Sequence, residues 1–422
     1  MYKTAQLKNG LRIITQEMKD RGSVAIGIWV GVGGRYEQDR LRGATHFVEH
    51  IVFKGSQKNS CEQIKEKIEG VGGSLNAFTS EEQTCFYAKI PSQHLTQTLG
   101  VLTDMVFHPN IKKTDVVKEK TVIIEEIKMY HDLPQYFVME LLDGLLWPNH
   151  PLGKQLAGTM ESVSGLTAKD LQKFHETYYF PGNVVISACG NLNHESFVNQ
   201  IKKTLSSVKG NGEITFQPFN EVQSQPRTHF FKKDIEQMHL ALGLPGYHED
   251  HPDKYVLTLL SIILGGNMSS RLFVEVREKK GLAYSIGSTH KSMSDTGVFM
   301  VRAGVDNVKI VDAVDVILKE FKKIKSKGIL PGEFKRAKDY LIGQIQLGLE
   351  DTMEHMLWIG ESMLSRNKGK TLEQVMSELN KIKISDVERV AQDILQESRY
   401  NLALVGPISP EQSKKIETIL NI

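Results

Sequence analysis

Two short apolar stretches open the pattern, LRIIT over residues 11–15 and the almost wholly apolar VAIGIWVGV over 24–32. They predict a pair of strands separated by a charged turn at Gly22. A helix follows over about 42–53. A second helix opens at Ser60, where Ser60 and Gln63 have capping-box spacing, and Gly72-Gly73 breaks it. Segments 74–79 and 84–90 read as a hairpin. Helices resume near Gln93, Thr114, Pro134 and Thr167, the last capped by Thr167 with Asp170 three residues on, and a strand over 183–189 closes this half.

Between Ser206 and Arg227 the chain reads VKGNGEITFQPFNEVQSQPR, rich in Gly, Pro, Asn and Gln and without helical period, as a linker does. A second series follows: a strand over 238–244, a helix from His251, a break at Gly265-Gly266, strands over 283–288 and 297–303, then long helices. ISDVERVAQDILQESRYNLALVGPI near the end repeats the pattern of LTAKDLQKFHETYYFPGNVVISACGNL in the first half. The expectation is an α+β fold built by divergent duplication, with two homologous sandwich-like domains of mixed sheet and packed helices. The domains would span 1–208 and 228–422, joined by a linker at 209–227.

A length of 422 residues supports two or three domains, and 40% hydrophobic with 24% charged residues is the balance of a soluble globular chain. No apolar run approaches the roughly 20 residues of a membrane span. The net charge of +2, with bases interspersed among acids, offers no broad footprint for nucleic acid. The basic run KEFKKIKSKG reads as the solvated end of an amphipathic helix. Three scattered cysteines without C-x-x-C spacing read as reduced thiols. The opening MYKTAQLKNGLRIITQEMKD lacks the apolar core of a secretory signal, so a cytoplasmic location is expected.

The chemistry concentrates in His46-Phe47-Val48-Glu49-His50. Residues four apart stack on one helical face, so His46 and His50 can converge on one divalent ion with Glu49 beside them. The order H-x-x-E-H inverts the commoner H-E-x-x-H zinc-protease motif. On the motif alone, a polar surface with two histidines and a solvated Glu49 stays open. A catalytic zinc site needs a third protein ligand. In VVKEKTVIIEEIKMYHD, Glu119 and Glu126 are two helical turns apart and share a face, while Glu125 points elsewhere. Geometry therefore favours Glu126 as ligand with Glu119 behind it. The second half carries no such motif; its corresponding helix, HPDKYVLTLLSIIL, is apolar.

The motif within RGATHFVEHIVFKGS, the acidic helix after it, and LGGNMSSRLFVEVREKKGLAYSIGS in the second half together resemble the pitrilysin family of inverted zinc peptidases. The chain is similar over essentially its whole length to the small bacterial members, which are akin to mitochondrial processing peptidase subunits. The resemblance implies that His46, His50 and Glu126 bind one zinc per chain, with Glu49 as base and Glu119 as the ligands' support. It implies that Asn76, Ala77 and Phe78, in GGSLNAFTSEEQTCFY, hold substrate backbone, although Asn76 alone reads rather as a plain turn residue. Arg277 and Tyr284 match an Arg and Tyr that stabilise the oxyanion from the opposite wall of a chamber. Gly265-Gly266 matches a substrate-contact loop or is a simple turn.

A chain of this length corresponds to half of the four-domain clamshell of longer members, so the resemblance further implies a homodimer whose subunits complete each other's sites. The expected substrates are short or unfolded polypeptides, added to the edge strand by backbone pairing. The rival expectations are a non-catalytic binding or assembly subunit of the same fold and a metal-dependent hydrolase of non-peptide substrates.

Overall fold

A computed structural model of the protein describes residues 2–421 except 211 and 213. The strand segments form two mixed sheets. The first has six strands in the order β1-β2-β6-β3-β5-β4: β1 Lys3–Gln6, β2 Arg12–Glu17, β3 Ser23–Val30, β4 Ser74–Thr79, β5 Thr84–Pro91 and β6 Val184–Gly190. The second has five in the order β7-β11-β8-β10-β9: β7 Arg227–Lys232, β8 Gln237–Pro245, β9 Ala283–Ser292, β10 Gly297–Asp306 and β11 Asn401–Gly406.

The duplication is plain in the pairing. In the first sheet β2 runs parallel to β6, and β6-β3, β3-β5 and β5-β4 are antiparallel. In the second, β7 runs parallel to β11, and β11-β8, β8-β10 and β10-β9 are antiparallel. Strand β1 is the first sheet's addition, paired antiparallel to β2.

The two compact units are not continuous stretches of sequence, unlike the expected division at 209–227. One comprises Met1–Ile127, Gln155–Gln217 and Ile345–Gln374; the other comprises Lys128–Lys154, Pro218–Gln344 and Val375–Ile422. Each half of the sequence thus contributes a helix to the unit built on the other half's sheet. Helix Thr352–Arg366 packs on β6, β3 and β2, and helix Pro134–Leu146 packs on β11, β8 and β7.

In the first unit, successive side chains of a strand point to opposite faces and build two cores. Ile13, Val24, Ile26 and Ile28 face helices that include Phe47, Val48, Ile51, Leu102, Met105 and Phe174. Ile14, Ala25, Trp29 and Val185 face Met356, Ile359 and Met363. Gly360 lets that second layer approach: a Cβ there would lie 2.1 Å from the Trp29 Nε1 atom, which donates to Ser187 Oγ at 2.9 Å. In the second unit, Phe137, Val138, Leu142 and Leu146 cover Ala241, Met300, Ala403 and Val405.

Candidate active site

Helix Ala44–Val52 carries the motif. Phe47, Val48 and Ile51 are fully buried against the sheet, which turns His46, Glu49 and His50 to the opposite, half-buried face. Helix Lys113–Asp132 brings Glu119 and Glu126 to the same place, with Val116, Ile123 and Ile127 anchoring it in the core. One ligand atom from each of His46, His50 and Glu126 lies within 4.8 Å of the others. His46 Nε2 is 3.7 Å from Glu126 Oε1, and His50 Nε2 is 3.3 Å from Glu126 Oε2. Four ligands about 2.1 Å from a tetrahedral zinc stand about 3.4 Å apart, so these separations fit such an ion.

Electrostatics point the same way. Burial disfavours charge on His50, but its bonds to Glu119 and Glu126 more than offset this and raise its pKa to about 9. Burial, then the neighbouring His50, drives the pKa of His46 down. The two imidazoles thus face the carboxyl groups of Glu119 and Glu126, and His46, His50 and Glu126 form a nitrogen and oxygen donor set of the kind zinc takes. His50 Nδ1 is 2.9 Å from Glu119 Oε1, which orients the ring with Nε2 toward Glu126. Such carboxylate–histidine pairs fix the tautomer of metal ligands. Burial would raise the pKa of Glu119, yet His50 and Lys54, the latter at 2.6 Å, hold it below the usual carboxylate range.

Glu49 stands beside this set. Burial raises its pKa, against the pull of a hydrogen bond from Thr79 Oγ1 to its Oε2. Thr79 is the last residue of β4, an edge strand of its sheet. Asn76, Ala77 and Phe78 lie on this same strand, paired with Tyr87, Phe86 and Cys85 of β5. The Ala77 amide donates to Asn76 Oδ1 at 2.8 Å, and Phe78 packs edge-on against Trp29.

Arg277 and Tyr284 belong to the second unit, the first in helical segment Phe273–Lys279 and the second on β9. They are neighbours there. The Arg277 guanidinium lies 5.5 Å from the Tyr284 ring centre and 4.8 Å from that of Phe273, and Tyr284 is 74% exposed.

Sequence reasoning missed Thr79, Lys54 and Glu37, the last a buried carboxylate at the start of the motif helix. Lys54 had a signal, since it falls one turn after His50. Thr79 adjoins the edge residues already singled out. Glu37 had none.

Residues 12–160 match the family described as Insulinase (Peptidase family M16), and residues 165–341 match the Peptidase M16 inactive domain. An uncharacterized zinc protease of Bacillus subtilis, YmxG, is 38% identical over 407 residues, which are 96% of this chain and 98% of its own. An uncharacterized zinc protease of Streptomyces coelicolor is 34% identical over 416 residues, 97% of this chain and 90% of its own. Among solved structures, a protease from Helicobacter pylori has a TM-score of 0.90 at 25% identity, covering 96% of this chain and 99% of that one. A chain of Complex III2 from Candida albicans shares the fold, with a TM-score of 0.83 at 19% identity and 99% of both chains covered. With relatives this similar along nearly its full length, and two family domains laid end to end, the chain belongs to peptidase family M16.

Proposed function

We propose that this metallopeptidase is a zinc endopeptidase that cuts short or unfolded polypeptides. The observation that carries the proposal is the convergence of His46, His50 and Glu126 beside Glu49, a carboxylate that shares their face without belonging to the ligand set. His46, His50 and Glu126 would hold one zinc per chain, and Glu119 would orient His50. When bound, zinc supplies Lewis acidity and brings the pKa of a water down toward about 7.

The residues divide the remaining work. Thr79 occupies Oε2 of Glu49 and leaves Oε1 to take the proton of the attacking water. Burial, which raises the proton affinity of Glu49, makes it a better base and lets it return that proton to the leaving amine. Substrate backbone would add to the edge of β4 at Asn76, Ala77 and Phe78 and so bring the scissile bond past Thr79 toward Glu49. Arg277 and Tyr284 would come from a second copy of the chain and stabilise the oxyanion, within a chamber that excludes folded proteins. No helix among the described residues is long and apolar enough to cross a membrane, and the proposed setting is the cytoplasm.

The likeness of fold to a chain of Complex III2 favours one alternative, a non-catalytic assembly role. The complete set of His46, Glu49, His50 and Glu126 weighs against it. The two readings separate in a panel of unstructured peptides offered to zinc-loaded wild type and Glu49→Gln. The peptidase reading expects cleavage by wild type and a loss of at least about a hundredfold in the variant. Wild type that leaves every peptide intact would sink it.

A further inference from the structure

The helix that carries the motif begins without a cap of its own. Residue 43, at its N-cap, is a glycine at φ 87°, and a Cβ there would lie 2.5 Å from the Ala157 carbonyl oxygen, so no side chain can serve from that position. The orphan amides of a helix's first turn must find acceptors elsewhere. Both oxygens of Glu37 are spent on them: Oε2 accepts from Gly43 N at 2.8 Å and Oε1 from Thr45 N at 2.7 Å. The carboxyl group is buried, with Arg42 Nη1 at 3.6 Å, and burial pushes its pKa up to about 7 against the pull of the two amides and Arg42.

The segment that carries Glu37 is also tied to the strand end beside the catalytic base. Gly34 N donates to Ser80 O at 3.2 Å and Arg35 N to Glu81 O at 2.8 Å. The Arg35 side chain bonds Glu82 at 2.6 Å, and Arg42 Nη1 closes the loop on Gly34 O at 2.8 Å. Ser80 follows Thr79, the donor to Glu49.

We infer that Glu37 is a positioning residue for the reaction: it replaces the missing cap and holds the first helical turn, His46 included, in register with the strand end that presents Thr79 to Glu49. This rests on the peptidase reading, but one of its readouts does not. Gln at position 37 keeps the size and offers one acceptor where two are needed.

The test compares Glu37→Gln, Thr79→Val and the double variant, with Glu37→Asp as a charge-retaining companion in case the amide variant does not fold. Zinc affinity is read by competition with a chelator, and kcat and KM on a cleaved peptide. Glu37→Gln is expected to bind zinc about tenfold more weakly and to lose about tenfold in kcat at nearly constant KM. Because both residues act on one register, the double variant should be no slower than the slower single. Wild-type zinc affinity in Glu37→Gln, or losses that multiply in the double variant, would overturn the inference. If wild type cleaves nothing, the peptidase reading fails, and zinc affinity alone then decides the role of Glu37.

Discussion

Glu119 ties the acidic helix to the motif helix. It is buried, and it divides its two oxygens between His50 and Lys54. Replacing it by Gln leaves His46, His50 and Glu126, the proposed ligands, unchanged but removes the charge that orients His50. The expected result is a zinc affinity lower by about 10- to 100-fold with little change in the fold, measured by chelator competition. Unchanged affinity would show that His50 is oriented by packing alone. At this scale the sequence was readable wherever one helix carried the whole relation. His46 and His50 followed from a spacing of one turn, and Glu119 with Glu126 from a spacing of two. Thr79 to Glu49 and Glu37 to Thr45 are tertiary contacts, and no local periodicity encodes them.

At the scale of elements, the motif helix is held from behind by helix Ala168–Tyr178. His175 of that helix is buried, its Nε2 is 2.8 Å from the Val106 carbonyl, and its pKa is lowered to about 4, chiefly by burial. The unfolded chain takes up a proton at this residue near pH 6.5, whereas the folded protein resists it down to about 4. This contribution is therefore complete above pH 6.5 and is lost as the pH falls, by up to about 3 kcal/mol. Denaturant midpoints at pH 7 and pH 4.5 should converge in His175→Gln relative to wild type; equal acid sensitivity in both would refute the assignment.

Elements with a buried face left their period in the chain, as did the capping boxes at Ser60 and Thr167, both of which form. Strands β1 and β7 were passed over because they bury too little. KTAQ and RTHFFK have no fully buried position, so neither shows an inside and an outside. The exchange of helices Pro134–Leu146 and Thr352–Arg366 was also illegible. An apolar stripe says that a helix is covered, not which sheet covers it.

For the molecule as a whole, the matching pairing order of the two sheets makes each unit a copy of one plan, and among the described residues the possible metal site lies in the first. Arg277 and Tyr284, neighbours in the second unit, are the proposed contribution of a partner subunit. A mixture of Glu49→Gln and Tyr284→Phe proteins, allowed to exchange subunits, should recover activity as mixed dimers form one intact site. Verified exchange without recovery would remove the partner from the mechanism. The central claim, that His46, His50 and Glu126 hold the zinc with which Glu49 acts, is tested most directly by titrating metal-free protein with zinc while following cleavage of an unstructured peptide. Activity should rise in proportion to zinc and stop at one ion per chain, with Glu126→Gln requiring far more metal; cleavage by metal-free protein, or a filled site without cleavage, would contradict it.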